Sequence, residues 1–142
     1  MENFTVACAE SCTGGLVLSR LTDFSGASAH VKGGVVAYTN EIKQRILHVK
    51  SETLEQFGAV SSQTAMEMAS NVRELFGATF GLSTTGVAGP LTSEGKPVGL
   101  VYVAIAGADF AEVKEFHFTG SRSEVKAQAA DAAFELLMRH TL

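Results

Sequence analysis

The sequence predicts an α/β domain, a three-layer α/β/α sandwich with a mixed sheet. Three observations predict it. Apolar runs alternate with stretches of helical periodicity, which is the pattern of strands joined by crossover helices. Residues 4–9 form a short apolar run that ends at a polar turn, as a buried strand does. Near the other end, residues 98–106 and 112–118 face each other across Gly107-Ala108-Asp109 as a hairpin, which makes the sheet mixed.

The remaining elements follow in order. Residues 13–21 read as a helix opened by Gly14-Gly15, and residues 35–38 as a second strand. Asn40 is a good N-cap for a helix reaching about residue 47. Residues 51–57 make a short helix stopped by Gly58. Ser61 or Ser62 caps a longer helix in which Ala65, Met68, Ala69, Val72 and Phe76 recur at helical spacing, and Gly77 ends it. Residues 78–84 read as the third strand. Ser121 and Glu124 match a capping box. They open a last helix whose Val125, Ala129, Ala132, Ala133, Leu136 and Leu137 share one face.

Residues 1–142 read as one domain, long enough to bury a substantial core. The composition, 46% hydrophobic and 18% charged, is globular and slightly light in charge, which points to further buried surface and a homo-oligomer, a dimer or larger. The net charge is −4 and the basic residues are scattered, so no nucleic-acid footprint is expected. The start Met-Glu-Asn-Phe has no basic leader, and the longest apolar stretch is far short of a membrane span. Cys8 and Cys12, the only cysteines, make neither a zinc set nor a disulfide framework and fit a reducing compartment. A cytoplasmic protein is expected.

Three segments could carry chemistry. Ala9-Glu10-Ser11-Cys12-Thr13-Gly14-Gly15 joins a strand to a helix, and free amides at such a place can hold an anion or an oxyanion. The plain alternative is that Ser11 or Thr13 only caps the helix. In Tyr38-Thr39-Asn40-Glu41-Ile42-Lys43, an Asn40 cap would put Lys43 third in its helix, where the dipole disfavours a cation and favours a lysine base. The alternative there is an exposed, ion-paired lysine. Thr85-Gly86-Val87-Ala88-Gly89-Pro90 follows a buried strand, where open α/β sheets bind ligands, or is simply a tight turn.

Other motifs fail. Gly89 to Lys96 is one residue too long for a phosphate-binding loop, and Pro97 replaces the hydroxyl residue. Ser123-Glu124-Val125-Lys126 lacks the partner motifs of a penicillin-binding enzyme. The four histidines are dispersed, so no bound metal is expected. Cys12 is a second candidate nucleophile beside Ser11.

Taken together, the segments resemble the C-terminal domain family of the competence/damage-inducible protein CinA. The matches are AESCTGG at 9–15, VVAYTNEIK at 35–43, GAVSSQTAMEMA at 58–69, TGVAGP at 85–90 and KPVGLVYVAI at 96–105, with GSR at 120–122 standing for the family's G-D-R. They cover nearly the whole chain in family order. Members often carry Arg where Lys32 stands, a Gly-rich stretch for Leu91-Thr92-Ser93, and Asp for Ser121.

The resemblance implies hydrolysis of nicotinamide mononucleotide to nicotinate mononucleotide and ammonia, a pyridine nucleotide salvage reaction. It places the nucleophile on Ser11 and the base on Lys43, with Tyr38 and Thr85 beside them. It ranks Ser11 above Cys12. Thr13, Gly14, Gly15, Gly86 and Gly89 are expected to line the substrate, and Arg122 to pair with its phosphate. Two rival readings use the same fold without catalysis. One is a nucleotide-binding module in which Ser11 caps a helix. The other is a dimerisation domain that no ligand stabilises.

Overall fold

The computed structural model describes residues 3–142, so the first two residues of the Met-Glu-Asn-Phe start lie outside it. Five strands form one sheet in the order β2-β1-β3-β4-β5. They are β1 (Val6–Glu10), β2 (Val31–Val36), β3 (Phe80–Gly86), β4 (Leu100–Ala106) and β5 (Ala111–His117). The pairs β1–β2 and β1–β3 are parallel, while β3–β4 and β4–β5 are antiparallel. The expected mixed sheet is therefore present, with its hairpin at Gly107.

The helices are α1 (Leu16–Leu21), α2 (Asn40–Arg45), α3 (Ser51–Phe57), α4 (Ser62–Phe76) and α5 (Arg122–Thr141). Strand alternation builds a core on each face. Val6, Cys8, Phe80, Leu82, Val101, Val103 and Ile105 pack against α1 and α5. Ala7 and Ala9 face the other way, toward Met68 and Val72 of α4. Small residues let α4 lie close to the sheet: Ala65 and Ala69 meet Ala104 and Ala106. A Cβ on Gly81 would fall 1.9 Å from Ala69 O. That makes three layers.

Several boundaries differ from the sequence reading. The second strand is Val31–Val36 rather than 35–38. Its glycines lower strand propensity, but tertiary packing requires one of them: a Cβ on Gly34 would sit 2.3 Å from Cys8 O. Helix α1 starts at Leu16, not residue 13, because a turn at Ser11–Gly15 is held by a side chain described below. Thr39, not Asn40, caps α2, its hydroxyl accepting from Ile42 N–H at 3.3 Å. The capping box at Ser121 and Glu124 is formed with both of its bonds. Among the described residues no helix is long and apolar enough to cross a membrane.

Candidate active site

Strand β1 connects to β2 on one side and lies beside β3 on the other, with α1 and α4 on opposite faces. The crevice beyond the carboxyl ends of such strands is where open α/β sheets take ligands. A cleft of about 430 Å³ opens there. Ser11 follows β1, Tyr38 and Lys43 follow β2, and Thr85, Gly86 and Gly89 close β3, and all six line the cleft. Arg122, at the first turn of α5, completes it.

Glu10 fixes the turn that carries Ser11. Its carboxylate is fully buried. Oε1 accepts from Thr13 Oγ1 at 2.5 Å, Gly15 N–H at 3.1 Å and Val17 N–H at 2.9 Å, and Oε2 accepts from Leu18 N–H at 3.0 Å. The amides expected to bind an oxyanion or phosphate are thus already bound by the protein's own anion, the arrangement a helix N-terminus favours. Accordingly Thr13, Gly14 and Gly15 do not line the cleft. Thr13 is buried against Glu10 and Thr84 instead, its hydroxyl 2.7 Å from Thr84 Oγ1.

Because side chains alternate along an extended chain, Ser11 faces the side opposite Glu10. Lys43 Nζ lies 2.8 Å from Ser11 Oγ. The amine also donates to Ala37 O at 2.8 Å and Tyr38 O at 3.4 Å. Only 1% of Lys43 is exposed. Burial pushes its amine down to about 8, against the charges of its neighbours, Glu94 among them. Lys43 is the fourth residue after its cap, so desolvation rather than the helix dipole is the main cause. The two carbonyls can take both hydrogens of a neutral amine, which leaves its lone pair for the Ser11 hydroxyl.

Cys12 also borders the cleft, but burial pushes its thiol up to about 12. It is therefore a poor nucleophile near neutral pH. Thr85 Oγ1 donates to Ala59 O at 2.8 Å, tying β3 to the α3–α4 junction. Arg122 Nη1 donates to Gly89 O at 2.5 Å and Nη2 to Tyr38 Oη at 3.0 Å. The guanidinium bridges two walls of the mouth and keeps other N–H groups for a ligand.

The sequence reading missed Glu94. It is the only carboxylate between Glu74 and Asp109, and it lines the cleft. That isolation, in a glycine-flanked turn after the Thr85–Pro90 loop, was its only signal. Among the described residues no three His, Cys, Asp or Glu side chains gather as a metal site.

The profile of the CinA C-terminal domain matches residues 1–141. This chain belongs to the CinA C-terminal domain family. A putative competence-damage inducible protein of Desulforamulus reducens is 52% identical over 132 residues, which are 93% of this chain and 32% of that protein. One from Bacillus subtilis is 47% identical, over 97% of this chain and 33% of its own length. The chain thus spans about a third of the curated relatives it matches. Among solved structures, the competence/damage inducible protein CihA of Agrobacterium tumefaciens has a TM-score of 0.94 at 40% identity, covering 99% of this chain and 87% of its own. A CinA superfamily protein of Escherichia coli has a TM-score of 0.93 at 33% identity, covering 96% and 80%.

Proposed function

We propose that this CinA-family domain hydrolyses the carboxamide of nicotinamide mononucleotide, releasing nicotinate mononucleotide and ammonia. The single observation that carries the reading is the 2.8 Å approach of a buried lysine amine to the Ser11 hydroxyl at the floor of the cleft. An amide is a weak electrophile, so its hydrolysis needs an activated nucleophile and a held oxyanion. Neutral Lys43 takes the Ser11 proton as Oγ attacks the carboxamide carbon. Lys43 then gives that proton to the departing nitrogen, and ammonia leaves an ester on Ser11. Water, losing a proton to Lys43, attacks the ester, and the proton returns to Oγ as nicotinate mononucleotide departs.

The Ser11 amide is committed to Thr84 O and the Val87 amide to Leu100 O. Beyond the end of β3 this leaves the Ala88 and Gly89 amides for the oxyanion. Arg122 holds the phosphate, and Tyr38 packs on the ring or ribose. The reading implies a cytoplasmic enzyme of pyridine nucleotide salvage that needs no cofactor. Purified protein should release ammonia from nicotinamide mononucleotide. Ligand binding without ammonia release would instead support the non-catalytic nucleotide-binding module.

Two expected results arise here. The base must be neutral to act, so kcat/KM should rise with pH through about 8 and then level off. A profile flat from about pH 6 to about pH 10, roughly two units either side of that value, would remove Lys43 from the role. Arg122→Ala should weaken nicotinamide mononucleotide by about tenfold or more, the loss of a charge-assisted bond, and leave free nicotinamide unchanged. Competitive inhibition constants for both ligands check this, and an equal loss would place Arg122 away from the phosphate.

A further inference from the structure

We infer that Glu94 reads the positive charge of the substrate ring, so that the cleft selects phosphorylated pyridinium carboxamides over counterparts with a neutral ring. The inference rests on the amidase reading for its substrate, but it concerns recognition and is tested by binding.

Three charged side chains line the cleft: Lys43, Glu94 and Arg122. Glu94 is its only carboxylate among the described residues. It sits in a built cradle. Oε2 accepts from Ala59 N–H at 2.8 Å, and Oε1 accepts from Val60 N–H at 3.0 Å and Lys96 Nζ at 3.2 Å. Gly58 leaves room for it, since a Cβ there would fall 2.6 Å from Glu94 Oε1. The backbone of Glu94 takes a left-handed φ of 56°, which a non-glycine residue adopts only where its surroundings hold it. Burial opposes its charge, yet the two amides and Lys96 keep the carboxyl below the usual range. It is therefore ionised at neutral pH.

Lys96 does not line the cleft. It turns away, donating to Phe57 O at 2.7 Å and also to Val60 O. Of this 3.2 Å ion pair only the carboxylate lines the cleft, so the nearer of the two charges to a ligand there is the negative one. Glu94 is anchored on the Ala59–Val60 wall, and Arg122 on the Tyr38–Gly89 mouth. The lysine between these walls is one whose neutral form burial favours. A ligand with a cationic ring and an anionic phosphate matches that set of charges. A neutral ring would forgo the attraction, and a pyridinium would further favour neutral Lys43.

The test uses the Ser11→Ala variant, in which chemistry stops, and isothermal titration calorimetry. The probes are nicotinamide mononucleotide and benzamide riboside 5′-monophosphate, its neutral isostere. The cationic ring should bind about tenfold tighter or better. Adding Glu94→Gln should bring the two within about twofold of each other. Adding Tyr38→Leu should keep the preference, because the other available source is a cation–π contact with that ring. Equal affinities in Ser11→Ala, or a preference lost with Tyr38→Leu, would overturn the inference. Should Glu94→Gln fail to fold, as circular dichroism would show, the Tyr38→Leu comparison still decides. Absence of ammonia release from the wild type, with the charge preference intact, would overturn the amidase reading and leave this one standing.

Discussion

Ser11→Ala should lower turnover of nicotinamide mononucleotide by on the order of 10⁴-fold or more, and Lys43→Arg by a similar factor. In the proposed reaction the serine supplies the electron pair and the lysine the place for its proton, so either loss would stop the same step. Arginine keeps the charge but does not deprotonate in the working range. Lys43 is almost wholly buried, so Lys43→Met, which fits the same space without an amine, is the control for a guanidinium that does not fit. All three variants should keep the fold. The Ser11→Ala/Lys43→Met double variant should be no worse than either single one, as for groups that act as a unit. Single-turnover ammonia release measures each. Near-normal turnover in Ser11→Ala would transfer the chemistry to a directly activated water or to Cys12.

Glu10→Ala should be the most damaging substitution for the fold around the site, costing about 3–5 kcal/mol in urea unfolding. It would orphan the Gly15, Val17 and Leu18 amides at once and leave the Thr13 hydroxyl with Thr84 alone. Against a total stability of about 5–15 kcal/mol that is a large fraction, and turnover should fall with it because Ser11 rides on the same turn. Glu10→Gln should lie between, since its amide group keeps one acceptor but sets an N–H against another N–H. A loss below about 1 kcal/mol would show that water satisfies those amides as well as the carboxylate does.

The architecture was legible because local signals agreed with it. Gly58 and Gly77 stop α3 and α4 with positive φ, and the Ser121–Glu124 box opens α5, just where composition marks them. Strand β2 was misplaced because Gly33 and Gly34 answer to a partner far away in sequence. Of the site, the pairing of Ser11 with Lys43 came from family resemblance. Spacing alone left Ser11 as a possible cap and Lys43 as a possible surface residue. Glu10 stayed hidden for a different reason. A carboxylate that reaches amides five to eight residues ahead leaves no periodic trace, and a charged residue at a strand end looks like solvent-facing turn.

The buried Lys43 also couples folding to acidity. Its amine titrates near 8 in the folded protein and near 10.5 when unfolded. Below the lower value both states are protonated, and the folded state bears the full expense of a cation taken out of water, about 3 kcal/mol. Between the two values the unfolded chain holds more protons, so for this residue stability climbs as the solution becomes more alkaline and levels off above the higher one. Other groups add their own slopes, and Lys43→Met isolates this one by removing it. The buried amine is therefore a standing burden on the fold at neutral pH, and the same dry surroundings are what the proposed reaction would use to make it a base.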